Sequence, residues 1–402
     1  MNVGTRALPY DAAMPDVTSL FDWLVDGAPG ETTSAGVFGR FCDQLAASGV
    51  PLQRGQAFVR TLHPNVMGRR FRWVPGEEVV VNEASYATLH TPDFLASPIR
   101  EVFRTGKSYR RRGDFGAVLQ LAELAEQGIT DYLVLPLRFL DKTTHAVSFA
   151  TRVPNGFDDD SIAAIEKVTR PLARVAEILA LTRTAANVLN TYVGRNAGEQ
   201  ILSGKIQRGD TQAIQAAIWF SDLRGYTELS GSLPPAEVIR LLNDLFDCQV
   251  PAIEKHGGEV LKFIGDGLLA IFPFEGANRT HGATADAALQ AAVEAYEALT
   301  TLNPQRQERG VAPIRFGLGL HVGEVAYGNI GGATRLDFTC IGQAVNLASR
   351  LEGLTGKHDR RVVVSRDFAR LTSWPTESLG KFQLKGVAEE QDVLVPARAE
   401  LR

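Results

Sequence analysis

The sequence has little cysteine, no long apolar run and almost no net charge. Its three cysteines, Cys42, Cys248 and Cys340, stand far apart in 402 residues. An odd and scattered set argues against a disulfide framework or a cysteine-based zinc site, and it suits a reducing compartment. The longest apolar stretches, residues 132–136 and 268–273, fall far short of the roughly 20 residues that span a bilayer. No basic segment followed by an apolar run opens the chain, so no signal peptide is expected, and the expected location is the cytoplasm. Lys and Arg number 42 against 46 Asp and Glu, a formal charge of −4. That balance argues against a general binder of nucleic acid or of membrane surfaces.

What is present is an ordinary globular composition, 45% apolar and 22% charged. At about 150 residues per domain, the chain has room for two or three domains with cores of their own. Residues 1–155 read as a mixed α/β domain. Helical spacing over 33–48 stops at Gly49. Strand-rich hairpins around 58–81 and 132–153 follow, the second turning at Asp141-Lys142. Helical stretches near 98–104 and 115–127 lie between them. This order resembles a GAF-like or PAS-like sensory domain in pattern only, without a sharp motif. Such a resemblance implies a small-molecule ligand or chromophore, with cyclic nucleotides, haem and tetrapyrroles all open. His63, His90 and His145 lack ligand spacing and read as structural. Cys42 reads as core, and the basic run 107–112 reads as a solvated loop.

Residues 156–200 read as a helical dimerisation linker. Asp158, Asp159 and Asp160 suit a helix start. Ile165, Val168, Leu172, Val175 and Leu179 are spaced three and four apart, and Thr182, Ala186, Leu189 and Val193 continue the register. That is the seam of two helices lying side by side. Pro171 is expected to kink the helix or to mark its true start.

Residues 201–402 form the third segment. A short apolar run over 216–220 ends in Ser221-Asp222. A helix over 234–256 is stopped by Gly257-Gly258. A hairpin over 259–273 has Asp266-Gly267 at its tip. Helix 284–302, strands in 314–328, helix 344–354, strand 361–365 and a last strand pair over 381–395 complete an α/β sandwich with helices expected on one face.

Asp222 at a strand end and Asp266 at a hairpin tip are acids placed where chain ends converge. Mg²⁺ takes hard oxygen ligands and needs only one or two protein carboxylates when phosphates supply the rest. Either residue alone is a common turn residue. Asn346 and Arg350 are four apart on one helix face. An amide beside a guanidinium suits negative charge developing on phosphorus, although a lone helix arginine is more often a surface ion-pair partner. Lys262, Ile264 and Asp266 share strand parity, which would put Lys262 and Asp266 on one side with Cα atoms roughly 13 Å apart.

With these residues the sequence reaches a known family. Phe220-Ser221-Asp222-Leu223-Arg224-Gly225-Tyr226-Thr227 and Leu261-Lys262-Phe263-Ile264-Gly265-Asp266-Gly267 resemble motifs of class III adenylate and guanylate cyclases. So do residues 317–328, Asp337-Phe338-Thr339, residues 342–351 and Leu384-Lys385-Gly386, in the family's order. No motif of this kind covers residues 1–200. The resemblance implies a ferredoxin-like βαββαβ core in a catalytic domain over 201–402. It implies that Asp222 and Asp266, with the Leu223 carbonyl, hold two divalent ions, Mg²⁺ or Mn²⁺. Lys262 and Thr339 would read the purine, with lysine suited to the N1 acceptor of adenine. Asn346 would orient the ribose, Arg350 would stabilise charge at the α-phosphate, and Lys385 and Arg335 would bind the triphosphate. In the family, acids from one protomer meet the purine readers, Asn and Arg of the other. The expected protein is therefore a homodimeric adenylate cyclase that turns ATP into 3′,5′-cyclic AMP and pyrophosphate under control of an N-terminal sensor.

Three rivals stand beside it. Many relatives carry Asp where Thr339 stands, which leaves a guanylate cyclase open. Gly257-Gly258-Glu259-Val260 resembles a diguanylate cyclase turn but lacks its last acid and Phe. A non-catalytic nucleotide-binding regulator would be expected to have lost a metal acid or the Asn/Arg pair, and this chain has all four. His321, in a His-Val-Gly-Glu stretch, reads as a support for its strand.

Overall fold

The computed structural model describes residues 14–113, 115, 121–274 and 280–401. The chain divides into two compact units, Met1–Val188 and Leu189–Arg402.

The first unit is built from helices α1 (Thr18–Val25) and α2 (Ser34–Ala47), then strands β1 (Arg54–Arg60), β2 (Gly68–Trp73) and β3 (Val80–Ala84). Short helices α3 (Pro92–Leu95) and α4 (Pro98–Thr105), strand β4 (Tyr109–Arg112) and helix α5 (Ala122–Glu126) follow. Strands β5 (Asp131–Arg138) and β6 (Thr144–Thr151) and the long helix α6 (Asp159–Val193) complete it. The strands form one antiparallel sheet in the order β3-β2-β1-β6-β5-β4. Local signals start its helices. Thr33 accepts the Gly36 N–H at 3.0 Å to cap α2, and Ser97 caps α4, whose first residue is Pro98. Strand alternation gives the sheet two apolar faces. Ala57, Phe71, Trp73, Val147 and Phe149 pack with residues of α1, α2 and α6. Val134, Ala146 and Ala150 pack with residues of α4 and α5.

Several expectations change here. Residues 107–112 are not a solvated loop, because Tyr109–Arg112 is the edge strand β4. Arg110 grips the fully buried Asp131 at 2.6 Å and, like Arg112, donates to the Phe157 carbonyl. A buried carboxylate needs such partners. Of the helix expected over 115–127, residues 116–120 lie outside the described residues. Pro171 sits inside α6 and does not start it. The expected pairing seam is divided. Ile165, Val168, Leu172 and Val175 are buried in the unit's own core. Cys42 lies fully buried in that same core. His145 accepts the Arg60 N–H at 3.0 Å, and burial pushes its imidazole down to about 4, so it is a neutral structural group.

In the second unit helix α7 (Arg195–Leu202) leads to β7 (Thr211–Leu223), α8 (Tyr226–Ser232), α9 (Pro235–Lys255), β8 (Glu259–Ile264) and β9 (Gly267–Pro273). Helix α10 (His281–Glu308), strands β10 (Phe316–Gly331) and β11 (Leu336–Ile341) and helix α11 (Gln343–Lys357) come next. The unit then runs through β12 (Val362–Ser365), α12 (Arg366–Ala369), β13 (Thr376–Phe382) and β14 (Gln391–Pro396). The sheet order is β13-β14-β12-β10-β7-β9-β8, and β11 pairs with the far end of β10. Read as β7-α9-β8-β9-α10-β10 with spatial order β10-β7-β9-β8, this is the expected βαββαβ core.

Helices cover both faces of the sheet, not the single face expected. Helices α9 and α10 pack on the side of Ala217, Trp219 and Leu268. Residues of α7 and α11 pack on the side of Ala216, Ile218 and Leu269. The reason is in β7, where Ala216, Ala217, Ile218 and Trp219 are all fully buried. A strand apolar on both faces needs a cover on each.

Candidate functional site

Strand β7 delivers Asp222 to the sheet edge where β8 turns into β9. The turn residues are Gly265 and Asp266, because Ile264 pairs with Gly267. This corrects the tip expected at Asp266-Gly267. Gly265 takes the first turn position with φ 64°, a left-handed conformation that favours glycine. Gly267 then opens β9, and a Cβ there would lie 3.3 Å from Asp222 Oδ1. The Asp222 carboxylate therefore rests against the hairpin.

Asp222 and Asp266 are close enough to share a proton. The Asp222 carboxyl is held well above the usual range, first by burial, then by the Asp266 hydrogen bond and charge, with Glu352 adding to it. Glu352, on the inner side of α11, is also raised, chiefly by burial, and feels Asp266 in turn. No role for Glu352 is legible in the motifs alone. Its signal was its place four residues after Ala348 on the buried face of α11. Two half-buried carboxyls crowded together favour an added cation. Among the described residues no group of three or more His, Cys, Asp and Glu side chains is gathered around a metal position. The two carboxyls suit a hard divalent ion, with substrate oxygens completing its shell. Leu223, the last residue of β7, places its carbonyl directly after Asp222.

A second cluster lies on β8 and β11. Lys262 Nζ donates to Asp337 Oδ2 at 2.5 Å. Thr339, on the same face of β11 as Asp337, is 4% exposed, and its hydroxyl finds no hydrogen-bond partner among the described residues. A buried hydroxyl left unpaired costs about 1–3 kcal/mol and calls for an outside partner. No function for Asp337 is legible in the Asp337-Phe338-Thr339 motif by itself. Its spacing of two from Thr339 was the signal for a shared face. The strand-parity link between Lys262 and Asp266 does not hold. Asp266 sits in the turn after Ile264, beyond the reach of alternation.

Helix α11 carries Asn346 and Arg350, both exposed. Its closeness to the sheet depends on small residues of β10. A Cβ at Gly319 would fall 2.4 Å from the Ala348 carbonyl oxygen and 2.5 Å from the Glu352 nitrogen. His321, on the same face of β10, is buried against Ser365 at 2.8 Å, a supporting role. Arg335 lies just before β11 and Lys385 just after β13, both exposed. Among the described residues the side chains of Asn346, Arg350, Arg335 and Lys385 make no hydrogen bond or ion pair. The structure thus assembles the acid pair and the Lys262–Asp337–Thr339 group, and leaves these four polar heads open.

Among the described residues no helix is long and apolar enough to cross a membrane. The family model of the adenylate and guanylate cyclase catalytic domain matches residues 210–395. An adenylate cyclase of Anabaena cylindrica is 36% identical over 174 residues, 42% of this chain and 33% of that protein. Adenylate cyclase 1 of Rhizobium meliloti is 31% identical over 146 residues, 36% of this chain and 22% of that protein. The chain spans about a third of the length of the first of these relatives. Among solved structures, the adenylyl cyclase CyaB from P. aeruginosa is 29% identical with a TM-score of 0.43, over 48% of this chain and 99% of that one. The guanylyl cyclase Cya2 is 33% identical with a TM-score of 0.41, over 46% and 92%. The motif order, the βαββαβ core with its acid pair and the family match agree: residues 210–395 are a member of the adenylate and guanylate cyclase catalytic domain family.

Proposed function

We propose that the chain is an adenylate cyclase that converts ATP into 3′,5′-cyclic AMP and pyrophosphate at sites shared by two copies. The observation that carries the reading is the carboxyl pair of Asp222 and Asp266, forced together at a strand end and a hairpin turn. Asp222, Asp266 and the Leu223 carbonyl would hold Mg²⁺ or Mn²⁺, two ions per site. Divalent ions so held supply charge neutralisation on the triphosphate and a lower pKa for the attacking ribose hydroxyl.

The rest is the work of this chain's side chains. The Thr339 hydroxyl and the Lys262 ammonium offer donors to an adenine edge, and Asp337 holds Lys262 in place. Asn346 orients the ribose. Arg350 sets a guanidinium at the α-phosphate, where negative charge builds during cyclisation. Lys385 and Arg335 bind the remaining phosphates. The open heads of these four residues support a substrate-facing role.

Exposed apolar residues support pairing of two copies. Phe263 and Ile264 on β8 and Ile341 on β11 are each about half exposed, at 53%, 46% and 53%. On α6, Ile178 and Leu181 are 62% and 60% exposed and continue to Ala185 and Val188 at spacings of three, four and three. This stripe lies one residue off the seam expected from the sequence, and its spacing is that of a paired helix. The first unit is read as a sensor that acts through α6, in a cytoplasmic protein. Incubating the full chain with Mn²⁺ and ATP tests the activity: cyclic AMP and pyrophosphate should appear in equal amounts. Cyclic GMP formed from GTP alone would give the guanylate reading, and nucleotide binding without turnover would give the regulator.

A further inference from the structure

The first unit contains a cavity of about 840 Å³ on the sheet face opposite α1, α2 and α6. Small-molecule sites typically span about 300–1,000 Å³. Arg54, Gln56 and Phe58 of β1 line it, with residues of β2, β3 and α4 and Tyr132 of β5 beside them.

The cavity wall is chemically specific. Arg54 and Gln56 are each 7% exposed and line it. Arg54 Nε and Gln56 Nε2 are buried donors with no partner among the described residues. The Arg54 head is already fixed by Glu123 at 3.0 Å and Gln127 at 2.8 Å, so its free Nε–H is held in one direction. Arg70 also lines the cavity, donates to the Asn82 amide oxygen at 3.2 Å and feels the Glu123 charge. Four arginines face three carboxylates in the wall. Phe58, Phe94 and Phe103 supply aromatic surface. Unsatisfied buried donors beside aromatic rings and a surplus guanidinium call for a guest that is flat, apolar and acceptor-rich at one edge.

We infer that this cavity binds one aromatic or heteroaromatic organic anion per chain. Its anionic edge meets Gln56 Nε2, Arg54 Nε and Arg70, and its ring lies among Phe58, Phe94 and Phe103. Only the regulatory consequence rests on the sensor reading above; the site itself is independent of turnover.

The test uses the full chain and two fluorescent probes, anionic 8-anilinonaphthalene-1-sulfonate and its neutral counterpart N-phenyl-1-naphthylamine. The anion should saturate at one per chain, and Arg70→Gln should weaken it about tenfold while changing the neutral probe less than about twofold. Ala84→Trp, which adds bulk to the cavity wall, should remove saturable binding of both probes with the cooperative unfolding transition retained. Asp222→Ala should leave both titrations unchanged, which separates this site from the cyclase site. A stoichiometric aromatic anion extracted from the purified chain and absent from the Ala84→Trp protein counts as the same result. If Ala84→Trp does not fold, Arg70→Gln still decides. Absence of a saturable site in a chain that carries no extractable anion, or equal loss of both probes in Arg70→Gln, would mean a water-filled cavity only and overturn the inference.

Discussion

In the proposed reaction, Asp222 and Asp266 are the single residues on which the chemistry would rest. Each looks ordinary in sequence, and only the fold brings the two carboxyls into contact. Replacing either by Ala should cut cyclase activity by at least about 100-fold, the scale seen when a group that stabilises transition-state charge is lost. The circular dichroism spectrum should be unchanged, because neither residue belongs to a core cluster. Lys262→Glu should lower the preference for ATP over GTP by about tenfold in kcat/KM. An unchanged ratio would remove Lys262 from base reading.

His321 gives a pH prediction. Burial lowers its imidazole to about 4 from a model-peptide value near 6.5. The unfolded chain therefore binds the proton more readily than the folded one between those values. The stability of the neutral ring is complete above pH 6.5 and is lost as the pH falls towards 4. Between pH 7.5 and 5.5 the loss amounts to about 1 kcal/mol from this residue. Denaturant unfolding of His321→Gln at the two pH values should show that much less acid sensitivity than the parent chain.

At the scale of elements, the local signals were legible where one periodicity or one cap decides. Thr33 and Gly49 bracket α2, Asp141-Lys142 turns β5 into β6, and the helix now assigned as α9 stops before Gly257-Gly258. The misreadings share a cause, which is that tertiary partners decide what local pattern leaves open. The three-four spacing in α6 fits a partner helix or the unit's own sheet equally well, and Ile165 to Val175 went to the sheet. The basic run became β4 because a buried Asp131, distant in sequence, demanded arginines. Asp266 left the strand for the turn between β8 and β9, which removed the parity that tied it to Lys262. In the site, the acids and the Asn346/Arg350 face could be read from motifs, whereas the burial of Glu352 and the Lys262–Asp337 pair needed the fold.

The contact of α11 with β10 is the element-scale feature that positions the site. Gly319→Ala must push the helix away from the strand. It should cost about 1–3 kcal/mol, the usual range for overpacking, and lower kcat more than it raises KM, because Asn346 and Arg350 travel with α11. Unchanged stability and unchanged kinetics would show that the close approach at Gly319 does not set the helix position.

For the whole molecule, one chain carries both the acid pair and the open Asn346, Arg350 and Lys385, so two copies can complete two sites together. Cutting away residues 1–199 tests the regulatory link. The fragment 200–402 should differ from the full chain in rate while both remain active with Mn²⁺ and ATP; identical rates in dimeric protein would leave the first unit without control over the second. The most direct measurement of the shared-site claim is subunit mixing. Asp222→Ala and Asn346→Ala proteins should each be nearly inactive alone. Mixed in equal amounts and allowed to exchange subunits, they should recover about a quarter of parental activity, because half the dimers are mixed and each mixed dimer holds one intact site. Mixtures that exchange subunits, as seen by a mass or fluorescence label, yet stay as inactive as the single variants would contradict the account.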